Sequence, residues 1–322
     1  MSALFGHDVA RREILDAAIG GHLHHAWILA GPRGIGKASL AREVALILLA
    51  GEESAGAVSS SHPSSHLFEA GTHPDYAELA RIEKDNGDVA RNISIDQVRG
   101  LGRLLATAPS VSQRRVVLID AADDMERGAA NALLKNLEEP PRNFVFLLVS
   151  HAPSRLLPTI RSRCRMLRLS PLGEQDMVSA LRNAAPDMSE KERDELVRMG
   201  AGSPGNALGM AGLGIEEMMA TLGRIVTTGD ATNAERIALA KSLSTKSARP
   251  RYEAFLARAP GFIAQRAREL EGQPLADAIA AWEKARDLAA QAIPLSLDPA
   301  TTIFELCTYV AMLARQPADA AV

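Results

Sequence analysis

The feature that most constrains the fold is a glycine-spaced loop set between a short apolar run and an amphipathic stretch. Ala26-Trp27-Ile28-Leu29-Ala30 feeds directly into Gly31-Pro32-Arg33-Gly34-Ile35-Gly36-Lys37, after which Leu40, Val44, Ile47 and Leu48 recur at helical spacing. Strand, glycine loop and helix in that order predict a phosphate-binding loop. Gly31, Gly34 and Gly36 allow the tight turn, and backbone N–H groups, the helix N-terminus and Lys37 converge on an anion. The next residue in such loops is Ser or Thr, whose hydroxyl ligates Mg²⁺; here it is Ala38. Ser39 follows, but one step along a helix turns a side chain by about 100°, so it is expected to point elsewhere.

A second apolar run, Val116-Val117-Leu118-Ile119-Asp120-Ala121-Ala122-Asp123, reads as the acidic strand that partners such a loop. Asp120 is in place at the expected nucleotide site, but Ala121 occupies the position where many ATPases of this kind carry a water-activating Glu. Alanine can neither hold a metal nor accept a proton. The glycine geometry remains able to hold phosphate, which leaves weak binding of ATP or ADP open, with no cofactor required and hydrolysis not expected. The bland reading of Lys37 is that it only satisfies nearby carbonyls.

Phe144-Val145-Phe146-Leu147-Leu148-Val149-Ser150 is continuously apolar, the mark of a strand buried on both faces, and strands alternating with helices imply a parallel α/β sheet. Ser94 or Asp96 is positioned to cap a helix continued by Leu101, Leu104 and Leu105. Glu138-Glu139-Pro140-Pro141 ends the helix that begins near Ala129, since proline cannot continue it; Glu138 and Glu139 read as solvated or structural. Residues 51–71 have the composition of a small, polar, mobile insertion. Its His62 and His66, with His73 beyond, lack a thiol or carboxylate cluster and read as solvated loop histidines. After Arg168 the strand signals stop. Ser189 and Glu192 form a capping box, and two apolar stripes follow: Leu275, Ile279, Trp282, Ala285 and Ala289, then Ile303, Leu306, Val310 and Leu313.

At 322 residues, 47% hydrophobic and 23% charged, the chain is long enough for two or three domains with cores of their own. A formal net charge of −3 argues against a globally basic nucleic-acid coat. The start of the chain lacks a charged-then-apolar signal pattern, the run from Val44 to Ala50 is too short to span a bilayer, and the lone Cys164 and Cys307 fit a reducing cytoplasm. A cytoplasmic protein without a membrane partner is expected.

Several segments together resemble the clamp-loader branch of the AAA+ ATPases: Leu23-His24-His25-Ala26-Trp27, the Asp120-Ala121-Ala122-Asp123 strand end, Asn131-Ala132-Leu133-Leu134-Lys135-Asn136-Leu137-Glu138-Glu139-Pro140-Pro141, and Thr159-Ile160-Arg161-Ser162-Arg163-Cys164. The resemblance implies an α/β P-loop (AAA+ RecA-like) domain with a parallel sheet over 1–169, a small helical lid over 170–211 and an all-α collar for oligomerisation over 212–322. It makes Arg163 an arginine finger acting in trans on a neighbour's nucleotide, against the plainer reading of a structural arginine among Arg155, Arg161, Arg165 and Arg168. It places Ser150 at the sensor-1 position, where the family usually carries Thr or Asn. Gly202-Ser203-Pro204-Gly205-Asn206-Ala207-Leu208 has no arginine where hydrolysing members place one. No cysteines occupy the insertion where many relatives carry zinc, so no zinc is expected. The implied partners are the gamma/tau and delta clamp-loader subunits, with the sliding clamp and primer-template DNA met through the complex. The rivals are an active gamma/tau-type ATPase with a substitute metal ligand, and a P-loop nucleotide kinase, against which the long helical C-terminal third counts.

Overall fold

The computed structural model describes residues 4–83 and 89–314. Five strands, β1 (Ala26–Ala30), β2 (Tyr76–Ala80), β3 (Arg115–Asp120), β4 (Phe144–Ser150) and β5 (Arg165–Arg168), form one sheet in the order β2-β3-β4-β1-β5. Every pairing is parallel, with Ala26 opposite Phe146 and Trp27 opposite Arg165. The continuous apolar runs are the central strands: every residue of β1 and β4 is buried. Side chains alternate between two cores. Trp27, Leu29, Val116 and Leu118 face the layer that holds Ile14, Leu40, Val44 and Leu48. Ile28, Val117, Ile119 and Phe146 face the layer that holds Val98, Ala129, Leu133 and Ile160. Fully burying side chains of this size contributes about 1.5–3 kcal/mol each, so the sheet is held from both faces.

This α/β architecture with a parallel sheet and a helical C-terminal region is the fold class the sequence led one to expect. The edge strands β2 and β5 were not legible, because they are only partly buried and lack the continuous run of β4. Residues 51–71 differ from the expected loose insertion: Pro63–Glu69 is a helix, with proline in its first turn and the His62 ring accepting from the Ser64 N–H at 3.1 Å. Ser94, not Asp96, is the cap, in a full capping box with Gln97, and the helix stops at Gly100 before a second short one, Gly102–Ala106. Among the described residues no group of three or more His, Cys, Asp or Glu could hold a metal ion. None of the described helices is long and apolar enough to cross a membrane.

The chain forms two compact units, Met1–Gly209 and Met210–Val322. The first ends in the helices Glu174–Ala184, Glu190–Gly200 and Pro204–Leu208; Ser189 caps the second of these by accepting from the Glu192 N–H. The second unit contains five α-helices and no strand among its described residues. Ile303, Leu306 and Val310 are buried as their spacing suggests. In Gly272–Ala292, however, the buried stripe is Ala278, Ala281, Ala285 and Ala292, while Ile279 is 45% exposed. The small residues let this helix lie close against Arg249–Ala267, which leaves Ile279 outward and Leu275 and Trp282 half-buried.

Candidate functional site

The glycine loop leaves the C-terminal end of β1, between β4 and β5, where parallel sheets place their ligands. Gly34 and Gly36 have φ of +74° and +100°, values that only glycine adopts without strain. The helix Lys37–Ala50 starts at once. Beside it lies a cavity of about 370 Å³, walled on the loop side by Gly34 to Ser39 and on the apolar side by Leu4, Phe5, Leu172 and Leu208. Ser39 also borders the cavity, although the sequence led one to expect it to point elsewhere.

Lys37 is 3% exposed, and its Nζ donates to the carbonyls of Gly31 (2.8 Å) and Pro32 (2.5 Å). Burial pulls its pKa down to about 8, against the attraction of Asp120 and Asp123. Ala38 packs its methyl against the core, and Ala121 is 3% exposed within the same cluster. Asp120 lines the cavity; burial raises its pKa, while Arg42 beside it, 3.4 Å from Oδ2, opposes the rise. Arg42 is itself engaged by Glu78 through two guanidinium nitrogens.

Ser150 is fully buried at the end of β4. Its hydroxyl donates to Asp123 Oδ1 at 2.9 Å, and Asp123 also accepts the His151 and Ala152 N–H groups. The Ser150 hydroxyl hydrogen is thus already placed, and its carbonyl accepts from Gly31 N–H at 3.2 Å. His151 borders the cavity, its pKa lowered by burial and by Lys37 and Arg33.

The segment Gly202 to Leu208 closes over the loop. Ser203 Oγ donates to the Arg33 carbonyl at 2.9 Å, and Gly205 N–H to the Gly34 carbonyl at 2.9 Å. A β-carbon on Gly205 would lie 2.8 Å from the Gly34 α-carbon, and one on Gly34 would lie 2.5 Å from Ser203 Oγ. Gly205, within the segment where hydrolysing members of the resembled family are expected to carry an arginine, thus admits no side chain in this arrangement.

These residues do not fit a magnesium nucleotide. Of the metal-binding positions of the motif only Asp120 offers oxygen, and it faces Arg42. Two alanine methyl groups stand where a hydroxyl and a carboxylate would be required, and the loop lysine is spent on loop carbonyls. The loop's shape and its helix N-terminus still suit an anion.

Arg163 lies apart from this cavity, just past the short helix Pro158–Arg161. Its Nη2 is 2.7 Å from Glu138 Oε1, and its Nη1 donates to the Thr159 carbonyl at 3.0 Å. Glu138, read from sequence as merely solvated or structural, is thus the finger candidate's partner. Cys164 is packed against the core, and burial pushes its thiol up to about 12, so it is no nucleophile. Arg165 pairs with Glu13 at 2.8 Å and sits over the Trp27 ring at 4.8 Å. Sequence reasoning placed Asp123 only within the acidic strand and missed Arg42 and His151 as neighbours of the loop; for His151 the available hint was that it follows Ser150 directly.

A family model described as DNA polymerase III, delta subunit, matches residues 7–173. The DNA polymerase III subunit delta' of Pseudomonas aeruginosa is 39% identical over 211 residues, which are 65% of this chain and 63% of that protein. That of Escherichia coli is 37% identical over 191 residues, 59% of this chain and 55% of that protein. The DNA polymerase III subunit gamma of Buchnera aphidicola is 32% identical over 163 residues, 51% and 43% of the two chains. The chain thus spans less than two thirds of the length of these relatives. The family match, which takes in the glycine loop, the acidic strand and the Arg163 segment, covers more than half of the residues, and the chain belongs to the DNA polymerase III, delta subunit family.

Proposed function

We propose that this chain is a delta'-type subunit of a DNA polymerase III clamp loader, working within a hetero-oligomeric ring beside gamma/tau and delta subunits. It helps place the sliding clamp on primed DNA and has no polymerase or ATPase activity of its own. The observation that carries this reading is a P-loop scaffold kept in full while Ala38, Ala121 and Gly205 remove the groups that hydrolysis needs. Such a chain is useful in a nucleotide-driven ring as a partner rather than as a motor.

In this reading residues 1–169 are the P-loop domain, 170–211 the lid and 212–322 the collar. Arg163 reaches a neighbouring subunit's ATP, where a guanidinium stabilises charge on the γ-phosphoryl group during transfer. Any binding of ATP or ADP at Lys37 is weak and not needed for this role. The closeness to delta' rather than gamma relatives supports the assignment.

The test is reconstitution with gamma/tau and delta. The chain should co-purify with them, and Arg163→Ala should leave the complex assembled but lower its DNA- and clamp-stimulated ATPase, with Arg163→Lys a poor replacement. Steady-state turnover by the isolated chain would instead make it a gamma/tau-type ATPase.

A further inference from the structure

Both arms of the Arg163 guanidinium are occupied within its own chain. Nη2 pairs with Glu138 Oε1 at 2.7 Å, and Nη1 donates to the Thr159 carbonyl at 3.0 Å and to Ser162 Oγ at 3.4 Å. A guanidinium that grips phosphate does so through two parallel N–H groups, so the arm held by Glu138 is needed elsewhere when it acts. We infer that Glu138 is a positioning residue that parks Arg163, and that a phosphate group presented by a neighbouring subunit takes the guanidinium over by displacing this carboxylate. The inference rests on the reading of Arg163 as a finger given above.

The local structure separates a fixed backbone from a movable side chain. Ile160, three residues before Arg163, is fully buried, and Cys164, immediately after it, packs against the same core. The Arg163 N–H is tied to the Ile160 carbonyl at 3.1 Å. Glu138 is likewise fixed through its backbone, as the last residue of the helix Arg127–Glu138, whose Leu137 is buried. The two side chains are solvent-accessible, 34% and 49% exposed. An exposed pair of this kind is weak. Glu138 can therefore order the guanidinium at rest without resisting a polyphosphate, which carries more charge than one carboxylate. A buried partner could not play that part, because separating a buried pair leaves an uncompensated charge.

The sign of the effect follows. Removing the Glu138 charge removes a competitor for the guanidinium, so Glu138→Gln should raise the stimulated ATPase of the reconstituted complex at saturating ATP by about two- to fivefold, the range an exposed pair allows. The KM for ATP should hardly move, since the contact matters most as charge shifts during transfer. The same substitution in an Arg163→Ala background should do nothing. In the isolated chain, peptide mapping after phenylglyoxal treatment should show Arg163 modified several-fold faster in Glu138→Gln than in the unsubstituted chain.

An unaltered rate of Arg163 modification overturns the pairing. A fall or no change in ATPase for Glu138→Gln, where Arg163→Ala does impair the complex, overturns this inference and leaves the finger standing. Intact activity in Arg163→Ala removes the finger and this inference with it.

Discussion

Gly205 gives its backbone N–H to the Gly34 carbonyl at 2.9 Å, and the two residues approach so closely that a β-carbon on Gly205 would sit 2.8 Å from the Gly34 α-carbon. Because the obstacle is backbone, no rotamer change relieves it. Gly205→Ala should destabilise the first unit by about 1–3 kcal/mol, the usual cost of forcing extra volume into a packed contact. The check is a denaturant midpoint at unchanged slope. An unchanged midpoint would mean that the two segments are not in contact in solution.

The isolated chain should not turn over ATP, and Ala38→Ser alone should not make it do so, because Ala121 still offers no base. Adding Ala121→Glu should cost stability rather than confer activity, since that position is 3% exposed within the core and an unpaired buried carboxylate is expensive. Phosphate release measured on the purified chain decides this. Turnover that disappears with Lys37→Ala would contradict it.

Lys37 should give the first unit an alkaline signature. Burial holds its pKa at about 8 against the usual 10.5, so the folded state releases this proton before the unfolded state does. Below pH 8 both states are protonated and the full penalty of the buried charge is felt. Above 10.5 both are neutral and it is gone. Relative to Lys37→Met, the natural chain should therefore gain about 3 kcal/mol between pH 8 and 10.5. Paired urea titrations across that window would show the gain, and parallel curves would refute it.

How much of this could be read from the sequence depended on burial. β1 and β4 announced themselves because strands covered on both faces become unbroken apolar runs. β2 did not, since only Leu79 of its five residues is buried, and β5 is bracketed by exposed arginines. The helix Pro63–Glu69 hid in a serine- and histidine-rich stretch with little periodicity. At the loop, Ala38 and Ala121 stood out because each lacks the functional group that the motif leads one to expect. Gly205 was legible only as an absent arginine; that it must be glycine depends on Gly34, a residue remote in sequence. Glu138 gave no sign of its partner, since an ion pair between distant segments leaves no local pattern.

The Asp75–Arg115 pair should govern acid stability. Asp75 is fully buried and Arg115 is 5% exposed on its side chain; the two are 3.0 Å apart. Burial raises the Asp75 pKa, but the N–H groups of Ser112, Val111 and Ser110, with Arg115, outweigh it and hold the carboxyl at about 2. A lowered carboxyl pKa stabilises above about pH 4, and that contribution is lost as pH falls towards 2, here about 2 kcal/mol. Asp75→Asn should remove this dependence and cost about 3–5 kcal/mol at neutral pH, by leaving Arg115 buried without its counter-charge. Acid titration of both proteins by circular dichroism would test both parts.

The contact between Gly34 and Gly205 also limits which side chains substitution could add beside the glycine loop. A hydroxyl at 38 needs only one substitution, at the cavity wall. An arginine at 205 cannot enter until the segment from Gly202 to Leu208 has withdrawn from the loop, which gives up the hydrogen bonds from Ser203 and Gly205 as well. A side chain at 205 is therefore expected to lower stability before it gains any room beside the loop. Related chains with this contact are expected to vary more freely at 38, which borders open space, than at 205, which meets backbone.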